Sequence, residues 1–169
     1  KRVTDIIIES RRVKGLVTLG GETYSSDNII MATGHSARDI YEIWRQRQIA
    51  VEMKSFAVGV RVEHPQELID RIQYHGNSRG NFLPAASYNL VKQIDGRGVY
   101  SFCMCPGGFI VPAATSPEEV VVNGMSPSHR GSVYANSGIV VELRPEDIVK
   151  FGKEGIFAVL AFQKELEKT

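Results

Sequence analysis

No stretch of this sequence limits the fold more than Tyr100-Ser101-Phe102-Cys103-Met104-Cys105-Pro106-Gly107-Gly108. Pro106 presets φ for the first central position of a turn, and Gly107 supplies the positive φ that a type II turn needs next. Apolar runs flank the turn, with Tyr100, Phe102 and Met104 before it and Phe109, Ile110 and Val111 after it. The combination predicts the tip of a β-hairpin. Gly108 is one glycine more than the turn requires. Its missing side chain admits close approach by another backbone or by a flat ligand.

The same stretch holds both cysteines of the chain. On a strand, residues two apart face the same way, so Cys103 and Cys105 are expected on one face. Their Cα separation then lies at the upper limit for a disulfide, with side-chain directions that suit the bond poorly. Zinc needs further ligands, and His35, His64, His75 and His129 are scattered with no second pair at ligand spacing. No metal site is expected. Two readings of the thiols stand: buried and unreactive, or set beside a redox cofactor.

The rest of the composition is that of a globular protein. The 169 residues, 43% of them hydrophobic, suffice for one domain with a sizeable core. A formal net charge of +1 without a long basic run argues against nucleic-acid binding. Runs such as Ile6-Ile7-Ile8 and Ile29-Ile30-Met31-Ala32 are too short to span a bilayer. With no signal-peptide pattern and no disulfide framework, the expected setting is the reducing cytoplasm. The chain opens at Lys1 and enters a strand almost at once. That reads as an interior piece of a longer protein, or as a small protein with a trimmed end.

Periodicity divides the sequence into three segments. Residues 1–53 read as part of an α/β unit. Strands over 2–9, 11–19 and 22–25 make a β-meander, with a tight connection at Ser10-Arg11 and a turn at Gly20-Gly21. Residues 28–32 form a continuous apolar run, the pattern of a strand covered on both faces. A helix over 37–48 follows, with Ser36 and Asp39 at capping-box spacing and Ile40, Ile43 and Trp44 facing inward.

Residues 54–143 predict a mainly antiparallel sheet with one helix inserted early. Phe56, Val58, Val60 and Val62 alternate with small or charged residues, Arg61 among them. Pro65 suits the first turn of a helix whose Leu68, Ile69 and Ile72 face inward. Residues 75–86 and 125–138 read as loops, and Asp95-Gly96 and Asn123-Gly124 as turns. Strands are expected at 88–94, 99–104, 109–113, 120–122 and 139–143. Residues 144–169 read as a C-terminal helical segment. The fold class is α+β, mostly antiparallel β-sheet with a few helices.

Ala32, Thr33 and Gly34 end an apolar run in a way that clears side chains from a strand's carboxyl end, where ligands bind in open α/β sheets. The helix that follows can favour an anionic group at its start. His35 comes next, and an imidazole can polarise a ligand or transfer a proton near neutral pH. The alternative is a residue beside the helix cap, satisfied by backbone. Arg130, in a Gly/Ser/Pro loop, is either an anion contact or an ordinary surface arginine.

Several blocks together resemble one family. They are Ala32-Thr33-Gly34-His35-Ser36-Ala37-Arg38-Asp39; Lys54-Ser55-Phe56-Ala57-Val58-Gly59-Val60-Arg61-Val62-Glu63-His64-Pro65; the Tyr100 to Gly108 stretch; Val122-Asn123-Gly124-Met125-Ser126; and Arg130 with Ala135-Asn136-Ser137. In this order they resemble the bacterial FAD-dependent dehydrogenases, also labelled NAD(FAD)-utilizing dehydrogenases. The resemblance implies an oxidoreductase related to the two-dinucleotide-binding-domain flavoproteins, with FAD as cofactor and NAD(P) as a second substrate. It implies that Ala32, Thr33 and Gly34 pass close to FAD, and that Gly107, Gly108 and Arg130 lie on the cofactor side. His35, Cys103 and Cys105 become the reactive groups. Residues 54–143 would be the inserted substrate-side domain, and residues 1–53 a remnant of the FAD domain. No Gly-x-Gly-x-x-Gly loop occurs in the sequence. The chain is therefore not expected to hold FAD, or to be active, without the remainder of its parent flavoprotein. A non-catalytic binding or interaction module is the competing expectation.

Overall fold

A computed structural model describes residues 1–151 and 155–168. Residues 152–154 and 169, part of the expected C-terminal helical segment, lie outside the described residues. The chain divides into two compact units, Lys1–Glu52 and Met53–Thr169.

The first unit is a three-stranded antiparallel sheet with one helix. Strands β1 (Val3–Glu9), β2 (Arg12–Thr18) and β3 (Thr23–Ser25) pair in sequence order, as the alternation predicts. Ser10 and Arg11 both adopt positive φ, the signature of a two-residue type I′ connection. Helix α1 (Arg38–Gln46) buries Ile40 and Ile43 against Ile6 of β1, with Trp44 and Ile29 packed around them. Arg47 pairs with Asp5, and Arg2 donates to Asp39 at 2.9 Å.

Two expectations for this unit fail. Ser36 and Asp39 form no capping box: Ala37 occupies the cap position without a side-chain bond, and Asp39 is drawn to Arg2. Residues 28–32 are not a strand, and Ile30 is 92% exposed. A continuous apolar run becomes a strand only where neighbours offer hydrogen bonds and cover both faces. No described strand pairs with it.

The second unit is built on a four-stranded antiparallel sheet of order β4-β9-β6-β5. Its strands are β4 (Phe56–Pro65), β5 (Val91–Ile94), β6 (Arg97–Cys105) and β9 (Tyr134–Leu143). β9 lies at the centre, pairing with β4 from Phe56↔Leu143 to Pro65↔Tyr134 and with β6 on its other side. It begins five residues before the expected 139, replacing the end of the expected 125–138 loop. β5 and β6 form a hairpin around Asp95 and Gly96, both at positive φ.

Helix α2 (Gln66–Tyr74) follows β4, with Pro65 at its cap. It buries Ile69, while Leu68 and Ile72 are 48% and 55% exposed instead of facing inward. The inward positions belong to Gln66 and Asp70, which are polar and would not be assigned to a core by hydropathy. Helices α3 (Pro145–Lys150) and α4 (Ala158–Leu166) close one end, where Ile148, Ala158 and Phe162 pack with Phe56 and Leu143.

Strands β7 (Phe109–Pro112) and β8 (Val122–Met125) form a separate two-stranded ribbon. This corrects two expectations. The Pro106-Gly107 turn is not a hairpin tip, because β6 pairs with β5 and β9 while β7 pairs with β8. It is a corner at which the chain leaves one sheet for another. Asn123-Gly124 is not a turn but lies within β8. Among the described residues no helix is long and apolar enough to cross a membrane.

Candidate functional site

The corner between β6 and β7 gathers most of the expected site residues of the second unit. Its backbone is set by a bulge: Phe102 faces Gly138 and Cys105 faces Asn136, so β6 spends three residues where β9 spends two. Cys103 takes up the extra length at φ +46. The bulge breaks the alternation that would place Cys103 and Cys105 on one face. Both thiols are free; Cys103 is exposed and Cys105 half-buried. The Cys105 Sγ donates to the Cys103 carbonyl at 3.3 Å.

Arg61 of β4 binds this corner from across the sheet. Its Nη1 donates to Asn136 Oδ1 at 2.5 Å and to the Cys103 carbonyl at 3.1 Å, and lies 3.9 Å from Cys105 Sγ. Asn136 is fully buried, and its Nδ2 has no hydrogen-bond partner among the described residues. Gly124 on β8 leaves the room: a Cβ there would collide with Arg61 and Asn136 and lie 2.7 Å from Cys105 Sγ. Glycine in this strand therefore marks close approach by side chains rather than a reversal.

Pro106, Gly107 and Gly108 are all buried. Gly107 has φ +52, as the turn requires. A Cβ on Gly107 would strike the Arg130 carbonyl, and one on Gly108 the Met125 carbonyl. The space beside each glycine is thus filled by the protein's own backbone. Beside Gly108 the close neighbour is another backbone, that of Met125. The amide of Gly108 donates to the Tyr134 carbonyl at 2.9 Å, and Ser126 Oγ to the Pro106 carbonyl at 2.8 Å. Arg130 contributes its backbone to this packing, while its exposed guanidinium has no partner shown among the described residues.

Gln66 ties the corner to α2. Its Oε1 accepts from the Gly107 amide at 2.7 Å, and its Nε2 donates to Asp70 Oδ1 at 2.8 Å and to the Ala86 carbonyl at 2.9 Å. Asp70 Oδ1 also accepts from the Ala86 amide at 2.8 Å. Nearby, Tyr88 and Ser137 share a hydroxyl–hydroxyl bond of 2.8 Å, and the His64 ring lies 5.5 Å from that of Tyr88. His64 Nε2 is buried without a partner, and burial pushes this imidazole below its ordinary pKa, opposed only in part by Glu63.

The remaining expected residues lie in the first unit. Ala32, Thr33, Gly34 and His35 form an exposed stretch before α1. Gly34 has φ +78, and nothing stands within 4 Å of where its Cβ would be. Its open side is free for a ligand, in contrast to Gly107 and Gly108. Among the described residues, no three or more His, Cys, Asp or Glu side chains are grouped to hold a metal ion.

Arg61, Asn136 and Gln66 are the residues that sequence reasoning misses. Periodicity shows Arg61 as one charged position in an alternating strand, and its partner Asn136 lies 75 residues away. Both fall within the blocks that carry the family resemblance, which is the signal that could have found them.

Comparison with known proteins gives the corner a context. Residues 55–169 match the family described as FAD-dependent protein, C-terminal domain-like. An uncharacterized protein of Clostridium beijerinckii is 45% identical over 133 residues, covering 78% of this chain. Those residues are 25% of the relative, so the chain spans about a quarter of that protein's length. The family match takes in the whole four-stranded sheet, the Cys105 corner and both C-terminal helices, and the chain belongs to the FAD-dependent protein, C-terminal domain-like family.

Proposed function

We propose that this chain is part of a cytoplasmic FAD-dependent oxidoreductase, a dehydrogenase, of the two-dinucleotide-binding-domain type. In this reading residues 1–53 belong to the FAD-binding α/β domain and residues 54–143 to the inserted substrate-side domain. Family membership supports the flavin. The observation that carries the division of labour is the state of residues 28–34. They are an apolar run with Ile30 at 92% exposure and no paired strand among the described residues. Such a run gains stability only when neighbouring strands cover it, and the remainder of the parent's sheet is the cover proposed.

In the first unit, the stretch before α1 fits one edge of a flavin site. Thr33 and Gly34 offer backbone free of obstruction, as the open space beside Gly34 shows. The start of α1 lies a few residues on and favours negative charge. In the second unit, taken by itself, Arg130 is proposed as an anion contact. The pyrophosphate cradle is not in this sequence and has to be supplied by the rest of the parent. When bound, FAD supplies the hydride and electron chemistry, with NAD(P)H as the proposed second substrate. His35 is proposed to hold or pass a proton, and Cys103 and Cys105 to lie on the substrate side.

The test is a visible spectrum of the full-length parent. Flavin absorption that bleaches with NAD(P)H is the expected result. A colourless parent that stays flavin-free after FAD is added overturns the reading. The 169-residue chain alone is expected not to bind FAD tightly in a titration.

A further inference from the structure

We infer that the second unit carries a binding site for a small molecule with an apolar body and one carboxylate, anchored by Arg61. The inference stands on the geometry of this unit and does not depend on the flavin reading.

A groove of about 450 Å³ opens on the four-stranded sheet, between strands β4, β9 and β6 and the segment leading into β8. That volume falls within the roughly 300–1,000 Å³ of small-molecule sites. Its lining is largely apolar and includes Phe102, Val122 and Val140. Phe102 is 55% exposed and Val122 45% exposed, an arrangement that leaves apolar surface in water. Gly59 and Gly138 also line it.

Arg61 lines the same groove and sets the polarity of its occupant. It is half-buried, yet no carboxylate pairs with it among the described residues; its partners there are the Asn136 amide oxygen, the Cys103 carbonyl and the Cys105 thiol. A cation taken partly out of water is costly unless an anion compensates it. All three contacts use Nη1 alone. A guanidinium carries five donors in a planar fork, so most remain available for the two oxygens of a carboxylate. Asn136 is fully buried and holds the fork in place, which reduces the ordering cost of binding. Glu167, the other charged residue of the lining, already takes part in an interaction of its own. Arg61 is the cation of the lining, and its complement is an anion carried on an apolar body.

The test titrates the 169-residue chain with benzoate, trans-cinnamate, octanoate and 2-oxo-4-phenylbutyrate, each against its neutral amide. Calorimetry gives the affinities, and amide NMR shifts give the location. At least one acid is expected to bind at least about tenfold tighter than its amide, with shifts at Arg61, Phe102 and Val140. Arg61→Gln is expected to erase the preference for acid over amide. Val122→Trp, which narrows the groove and leaves Arg61 in place, is expected to weaken the acid and its amide together. Should Arg61→Gln not fold, the wild-type shifts and Val122→Trp decide the matter. Equal affinity for every acid and its amide, failure of all four acids to bind at millimolar concentration, or shifts that map elsewhere would overturn the inference.

Discussion

The Gly107 amide donates to Gln66 Oε1 at 2.7 Å, with both residues buried. This bond fastens the corner between two sheets to the first residue of α2. Replacing Gln66 with Ala leaves the Gly107 N–H and the Ala86 carbonyl without their partner in a buried place. Each orphaned group costs about 1–3 kcal/mol, so Gln66→Ala is expected to lose about 2–6 kcal/mol in urea unfolding. A loss below about 1 kcal/mol would mean that water replaces the amide.

Gly107 and Gly34 both have positive φ, but only Gly107 is crowded. Gly107→Ala is expected to cost more than about 2 kcal/mol, because a Cβ meets the Arg130 carbonyl as well as a left-handed backbone. Gly34→Ala carries only the left-handed penalty of about 1–2 kcal/mol. Thermal melts of the two variants compare them, and equal losses would remove the packing explanation. In the full-length parent, Gly34→Val is expected to lower FAD affinity more than it lowers stability.

The two thiols differ in access. Cys103 is exposed and Cys105 half-buried beside Arg61. A chromogenic thiol reagent is expected to titrate both in denaturant and to react faster with Cys103 in the native chain. Cys103→Ser should remove the fast phase. In the parent, unchanged flavin reduction in Cys103→Ser and Cys105→Ser would assign the thiols no redox part.

His64 is expected to make stability fall on mild acidification. Burial lowers its pKa in the fold, and the Glu63 charge opposes this only in part. The unfolded chain therefore takes up the proton first, at about 6.5. The stability conferred by the neutral imidazole is present above that pH and is lost as pH drops toward the folded value. Wild-type Tm is expected to decline from about pH 7 to about pH 5.5, and His64→Phe to show a flatter profile. Parallel profiles would assign the acid sensitivity to other groups.

What the sequence discloses follows the range of the interaction. The β1–β2–β3 meander, the Asp95-Gly96 hairpin and the turn at Pro106-Gly107 depend on neighbours in sequence, and their residue types are sufficient signals. Pairing depends on residues far away. Nothing near Cys105 says that β7 will join β8 instead of β6. Asn123-Gly124 carries the composition of a turn, yet Gly124 serves to admit Arg61 from β4 and Asn136 from β9. The inward face of α2 misleads in the same way, because Gln66 and Asp70 are buried by bonds to Gly107 and Ala86 that hydropathy does not record. Arg61 is the clearest case: its contacts reach 42 and 75 residues along the chain.

The pairing of Phe56 with Leu143 has a consequence for how such a unit is carried from one protein to another. The chain enters the sheet on β4 and leaves it on β9 at adjoining positions, so residues 57–142 form a loop pinched shut at its neck. Past that neck α3 and α4 fold back onto the unit, Asp147 pairing with Arg97 and the Glu167 carbonyl accepting from the Val120 amide at 2.7 Å. A transfer of this unit between proteins therefore has to carry both helices along with the pinched segment.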